Sequence, residues 1–283
     1  MDNFQYDQAE GLRRMLAGPK PRIFTFLSAI PEDDKNSVLV NLGASLIRTG
    51  STVLMLDACL AAPGVASRIE FKPAPCTLLQ ASRRECALDQ VIAAAPQGFG
   101  VATLTRIRPR TKTQQMEQTG LLNDMFCSFA GKADIVMIDA ELDDEDALPM
   151  TAMADGEIVI LVSSEATSIK SAYSLIKRLN SRFGRRPFSV LVAGTNEQRA
   201  QVVFKNMAQA ASRYLAVQLN SIGSVPPDDH ISRATRLGRT VIDAFPMASA
   251  SVAFRNLAGR FADAGWSASG FRETTLSGVG LGA

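Results

Sequence analysis

A chain of 283 residues, 46% of them hydrophobic, can bury the core of one α/β domain, and its net charge of +2 is too small to argue for nucleic acid. No Lys/Arg run is interleaved with aromatics as a nucleic-acid stripe would be, and no long apolar run suggests secretion or membrane spanning. A cytoplasmic protein is expected, and Cys59, Cys76, Cys86 and Cys127, without C-x-x-C spacing and with His230 as the sole histidine, do not make a zinc site.

In chain order, the first predicted element is a short N-terminal helix with Ala9, Leu12 and Leu16 on one face and Glu10, Arg13 and Arg14 on the other. Such a face docks in a partner's groove or folds back on its own domain, and residues 18–21 (GPKP) form a stiff tether behind it. Apolar runs predict strands over residues 22–27, 52–57, 99–104, 134–138, 157–162, 188–193 and 220–224, alternating with helical stretches. That alternation implies an α/β fold, a doubly wound and mostly parallel sheet flanked by helices. The functional crevice of such a sheet lies at the carboxyl ends of its strands, where residues 28–38, Asp57 and Asp139 converge. The basic residues 106–112 are expected in a solvated loop, with an acidic partner surface as the alternative. The acidic run 143–146 is expected at a solvated helix start, with a divalent-ion site as the alternative. Near the C-terminus, Val252, Phe254, Leu257, Phe261 and Trp266 recur at near-helical spacing, and the first half of that segment is expected to pack on the domain. The chain thus divides into an N-terminal helix and tether (1–18), an α/β domain (19–266) and a Ser/Gly/Thr-rich, disordered tail (267–283).

Between the first strand and the helix predicted over residues 38–49 lies the position of a phosphate loop. Such a loop works by surrounding an anion with backbone N–H groups, mostly of glycines, at a helix N-terminus. Residues 28–38 (SAIPEDDKNSV) contain no glycine, Pro31 has no N–H, and Glu32, Asp33 and Asp34 put carboxylates where phosphates would lie. Each carboxylate about 5 Å from a phosphate costs roughly 3 kcal/mol at an effective dielectric near 20. Lys35 remains as a phosphate partner, Asn36 replaces the hydroxyl that would hold magnesium, and Ser37 supplies one only with a one-residue shift.

These features resemble the FlhG (FleN) branch of the MinD/ParA family of deviant Walker ATPases. Residues 7–14 (DQAEGLRR) are similar to that branch's N-terminal DQAxxLR segment, which activates the signal-recognition-type GTPase FlhF. Ser28, Lys35 and residues 40–43 (VNLG) match the family's phosphate loop and following helix, whereas its signature lysine falls on Ile30 and its glycines on Ala29, Pro31, Glu32 and Asp34. Residues 53–60 (VLMLDACL) resemble the strand ending in LDADLG: Asp57 keeps the first switch aspartate, the catalytic candidate, and Cys59 replaces the second, which orients water in the family. Residues 134–139 (DIVMID) resemble a Walker B strand with Asp139 beside magnesium, 164–177 the family's EPTSITDAYALIK helix start, and 221–229 its LGxVPxD loop. The family's adenine-contacting asparagine falls on Ala193, with Asn196 close by.

The resemblance implies a regulator of flagellar number or placement that binds FlhF through Asp7, Gln8, Ala9, Leu12, Arg13 and Arg14 and contacts switch-complex or transcription-regulator proteins. It implies recruitment to the cell pole or inner membrane surface, although the C-terminal segment is a poor copy of the family's membrane-targeting helix. ATP sandwiched between two subunits drives dimerisation in the active family. With the glycines, signature lysine and second aspartate absent, the expectation is a pseudo-ATPase in which the ATP/ADP and Mg site of Lys35, Asn36, Ser37 and Asp139 is impaired or lost. A slow, active MinD-type switch is the competing reading. A further expectation is that Glu32 or Asp34 itself imitates a bound phosphate at the helix N-terminus.

Overall fold

The computed structural model describes residues 20–59, 64–105 and 112–263, with the backbone alone at residues 68 and 112–119. Eight strands form one sheet: β1 (Arg22–Ser28), β2 (Val53–Asp57), β3 (Ala93–Ala94), β4 (Gly100–Thr103), β5 (Ile135–Asp139), β6 (Glu157–Ser163), β7 (Phe188–Ala193) and β8 (Leu219–Val225). Their order is β3-β4-β2-β5-β1-β6-β7-β8. All pairings are parallel except the short edge pair β3–β4, which residue patterning did not reveal because Ala93–Ala94 offers only two small residues. The strands between the edges are apolar runs because helices cover both faces of the sheet. Both β2 (VLMLD) and β5 (IVMID) are buried along their whole length.

Nine α-helices accompany the sheet among the described residues: α1 (Glu32–Arg48), α2 (Leu78–Ser82), α3 (Lys112–Ala130), α4 (Ala152–Asp155), α5 (Ala166–Phe183), α6 (Glu197–Leu215), α7 (Asp229–Arg236), α8 (Val241–Ala244) and α9 (Ser249–Ala262). One core, containing Leu54, Leu56, Phe126, Phe129, Ile176 and Leu179, lies under α2 to α6. The other, containing Phe24, Phe26, Leu39, Leu42 and Met55, lies under α1 and α7 to α9. Helix α9 closes this second face with Phe254, Leu257 and Phe261 buried and Val252 exposed. The ring of Phe261 sits 4.6 Å from that of Phe24 and 6.1 Å from that of Phe26, and burial of each such ring is worth about 2–3 kcal/mol. The Arg22 guanidinium donates to the Phe261 carbonyl at 2.5 Å and to that of Asp263 at 2.8 Å, fixing the end of α9 against β1.

Two expectations are corrected. Helix α1 begins at Glu32, six residues before the predicted start, so most of the supposed loop is its first two turns. Pro31 stands at the N-cap with φ −54°, and three carboxylates follow at the positive end of the helix, an arrangement that stabilises a helix start. The acidic run 143–146 is a turn and not a helix start: Asp143 Oδ1 accepts from the N–H groups of Glu145 (2.9 Å) and Ala147 (2.8 Å), and Asp146 takes a left-handed φ of 62°. Asp146 then pairs with Arg178. Among the described residues no helix is long and apolar enough to cross a membrane.

Candidate functional site

The parallel register of β2 and β5 sets Asp57 opposite Asp139, both at the carboxyl ends of their strands. Helix α1 follows the neighbouring strand β1, and its first turns place Lys35 over the same point. The Lys35 side chain is 2% exposed, with Nζ 2.8 Å from Asp139 Oδ1 and 2.5 Å from Glu32 Oε2. Cys59 Sγ is 3.5 Å from the same ammonium. The one phosphate partner retained by the sequence is therefore already paired.

The strand ends are closed from above by the segment that follows β2. The Val65 N–H donates to Asp139 Oδ2 at 2.8 Å, the Ala66 N–H to Asp57 Oδ2 at 3.0 Å, and the Cys59 N–H to Asp57 Oδ1 at 3.2 Å. Gly64 lets this segment approach: a Cβ there would lie 2.1 Å from Asp57 Oδ1.

Burial by itself would lower the Lys35 ammonium, but the facing Asp139 carboxylate overrides it and holds the group above its ordinary value, so it is charged. Burial and the charge of Asp139 push Asp57 up to about 6, against the Ala66 and Cys59 N–H donors. Burial pushes Asp139 upward too, with Lys35 and the Val65 N–H pulling it back. Burial, then the Asp139 charge, raises the Cys59 thiol, which stays protonated.

The arrangement does not fit a magnesium-bound triphosphate. Of the backbone donors that would cradle one, Ala29 N–H is given to Leu161 O, Ile30 N–H to Ser28 Oγ and Lys35 N–H to Pro31 O, and Pro31 has none. One cation faces three carboxylates, Glu32, Asp57 and Asp139, so the field at the strand ends opposes an anion. Asp57, Cys59 and Asp139 bring donor atoms within 4.8 Å of one another, as a metal site would, but the Lys35 ammonium already lies against two of them, 2.8 Å from Asp139 Oδ1 and 3.5 Å from Cys59 Sγ. Magnesium would also want an octahedral oxygen shell in place of the thiol.

Thus Lys35, Asp57 and Asp139 come together as expected from sequence. Asn36 and Ser37 do not join them: the Asn36 side-chain amide and Ser37 Oγ are buried without a hydrogen-bond partner among the described residues. Asn196 is used as the cap of α6, its Oδ1 accepting from Arg199 N–H at 2.9 Å, and Ala193 is buried at the end of β7. Asp7, Gln8, Ala9, Leu12, Arg13 and Arg14, the basic residues 106–111 and the tail lie outside the described residues. Sequence reasoning missed Glu32 as the partner of Lys35, although i,i+3 spacing in a helix starting at 32 signals it. It also missed the Val65 and Ala66 N–H groups, which leave no side-chain signature.

No protein-family model matches the chain. It is 29% identical over 226 residues to the antiactivator FleN of Pseudomonas aeruginosa, spanning 79% of this chain and 80% of FleN. The ParA-family ATPase of Chlorobium tepidum superposes with a TM-score of 0.61 at 17% identity, over 85% of this chain and 99% of that one. The chain is a homologue of FleN with the fold of the MinD and ParA ATPases. The MinD of Pyrococcus horikoshii, solved with Mg-ADP, shares the fold at a TM-score of 0.61 and 18% identity, over 85% and 96% of the two chains. The expected α/β class is borne out.

Proposed function

We propose that this FleN homologue regulates flagellar biosynthesis, and that it does so as a pseudo-ATPase, through partner binding on a MinD-like scaffold without a nucleotide cycle. The observation that carries this reading is Lys35, 2% exposed and held between Asp139 and Glu32 where a phosphate would need it. A switch ATPase gains its two states from nucleotide that binds them unequally, and a site that supplies its own counter-charges has no such difference to exploit. Titration calorimetry of nucleotide-stripped protein with ATP and magnesium is expected to give no binding heat, and hydrolysis no faster than that of Lys35→Ala. Saturable binding that disappears in the variant overturns the pseudo-ATPase reading.

One observation favours the competing reading, a slow MinD-type switch with ATP/ADP and magnesium driving a dimer. The Asn36 amide and Ser37 hydroxyl, buried and unpartnered, are polar groups of the kind a ligand satisfies. Magnesium-dependent ATP binding together with a doubled mass in light scattering would establish it.

The partner we propose is the GTPase FlhF, engaged by residues 7–14, whose match to the DQAxxLR segment supports it. A variant lacking residues 1–18 is expected to lose FlhF in a pulldown while keeping the wild-type unfolding transition. Retained FlhF binding refutes the assignment of that segment. Switch-complex or transcription-regulator proteins are the further partners this reading implies, at the cytoplasmic membrane surface or cell pole.

A further inference from the structure

Outside the phosphate site, helices α7, α8 and α9 and the turns between them form an arginine-rich corner. Residues 230–262 hold five arginines, Arg233, Arg236, Arg239, Arg255 and Arg260, against one aspartate, Asp243, and no lysine or glutamate. Five against one leaves +4, in a chain whose whole net charge is +2. All five arginines are exposed. Contacts within the corner set three of them in place: Arg233 lies over the Phe245 ring at 5.0 Å, Arg239 donates to Asp243 O at 3.0 Å, and Arg255 to Pro246 O at 2.7 Å. A guanidinium held in this way keeps further N–H groups for a carboxylate. The acids alongside do little to neutralise them. Asp243 pairs with Arg48, Asp228 accepts from His230, Ser249 and Ala250, and only Asp229 and Glu70, the latter facing Gly238, add exposed negative charge. Large apolar side chains also stand in water here: Leu237 at 62%, Met247 at 87%, and Val252.

Such a surface suits an acidic peptide that also carries apolar side chains, and this chain supplies one. Residues 1–10 (MDNFQYDQAE) contain Asp2, Asp7 and Glu10 without a lysine or arginine, and Met1, Phe4 and Tyr6 beside them. We propose that this segment docks on the arginine corner of its own domain. Its tether is long enough. Arg22 donates to Asp263 O at 2.8 Å, so the chain enters the domain beside the end of α9. The 14 residues of α9 measure about 21 Å, and residues 11–19 reach up to about 30 Å when extended. A short tether also holds the segment at a high effective concentration, so individually weak contacts suffice. A lipid surface fits the corner less well, because α9 turns Phe254, Leu257 and Phe261 into the core and has no apolar face to insert. A nucleic-acid backbone would leave Leu237 and Met247 without a partner. Docking withdraws Asp7, Gln8 and Ala9 from FlhF; that consequence rests on the FlhF reading above, whereas the docking itself does not.

Full-length protein with p-benzoylphenylalanine in place of Phe4 is irradiated alone in solution and digested, and the adducts are mapped by mass spectrometry. The expected result is a species of monomer mass in which the peptide holding position 4 is joined to residues 233–255, with the exposed Met247 as a main target. Asp7→Lys/Glu10→Lys, which leaves the arginine corner itself intact, and Arg236→Glu, at an exposed side chain, are each expected to lower the yield several-fold. Raising NaCl to about 1 M is expected to do the same by screening. No FlhF is present, so the outcome is independent of the FlhF assignment. Absence of adducts, adducts elsewhere on the domain, adducts of doubled mass, or a yield in residues 233–255 that neither charge reversal changes overturns the proposal. Sedimentation with phosphatidylglycerol vesicles that Arg236→Glu abolishes would give the corner to a lipid surface and overturn it as well.

Discussion

Asp139→Ala is expected to destabilise the protein by about 3–5 kcal/mol, because it leaves the Lys35 ammonium at 2% exposure with the partly solvated Glu32 as its remaining ion-pair partner. It also removes the acceptor of the Val65 N–H, a loss worth about 1–3 kcal/mol within that total. Lys35→Met removes the other half of the pair and is expected to cost several kcal/mol for the converse reason, leaving Asp139 buried and uncompensated. The combined variant Lys35→Met/Asp139→Leu, which replaces a buried ion pair by apolar side chains, is expected to lose less than the sum of the single changes by about 2 kcal/mol or more. Glu32→Gln is expected to cost under about 1 kcal/mol, since Glu32 is 44% exposed and water screens its bond to Lys35. Equilibrium urea unfolding of these four variants and of Asp139→Leu supplies all the terms. Additivity of Lys35→Met and Asp139→Leu within about 0.5 kcal/mol would mean that the two residues are not a pair, and the explanation of the filled phosphate site would fail with it.

The parts of this site differ in how plainly the residues announce them. Strands β2 and β5 are legible because a strand buried on both faces must be an unbroken apolar run, and VLMLD and IVMID each end in an aspartate. Once the alternation implies a parallel sheet, Asp57 and Asp139 are bound to meet at its carboxyl edge. The start of α1 was obscured by the expectation of a phosphate loop at that position. Pro31 followed by Glu32, Asp33 and Asp34 has the composition of a helix first turn, and without a glycine nothing holds the chain open there. Acidity is nevertheless ambiguous by itself, as residues 143–146 show: there the Asp143 side chain satisfies two backbone N–H groups locally and the chain turns. The contact between Val65 and Asp139 spans 74 positions and uses a backbone donor, so no residue type marks it.

Lowering the pH from 8 to 5 is expected to raise stability, against the usual behaviour of paired carboxylates. Asp57, at about 6 in the fold and 3.8 as its ordinary value, binds its proton more tightly folded than unfolded. Its contribution is full below 3.8 and is lost as the pH rises through 6, so the window of change lies between those values. Two pKa units at 1.36 kcal/mol each set the full gain, reached below pH 3.8, at about 3 kcal/mol, of which about half is present at pH 5. Asp139 is displaced in the same direction and adds to the trend. The carboxylates of Asp134 and Asp228 are held below their ordinary value by hydrogen bonds, despite the opposing effect of burial on both, so their contributions fall away only at more acid pH. Asp57→Asn should flatten the profile between pH 8 and 5. It should also lose about 1–3 kcal/mol throughout, because an amide presents one oxygen where Asp57 gives one each to the Cys59 and Ala66 N–H groups. Urea midpoints at pH 8, 7, 6 and 5 decide the matter. A wild-type midpoint that falls on acidification, or an Asn variant as pH-sensitive as the wild type, would place the Asp57 carboxylate in water and remove it from the closed cluster around Lys35.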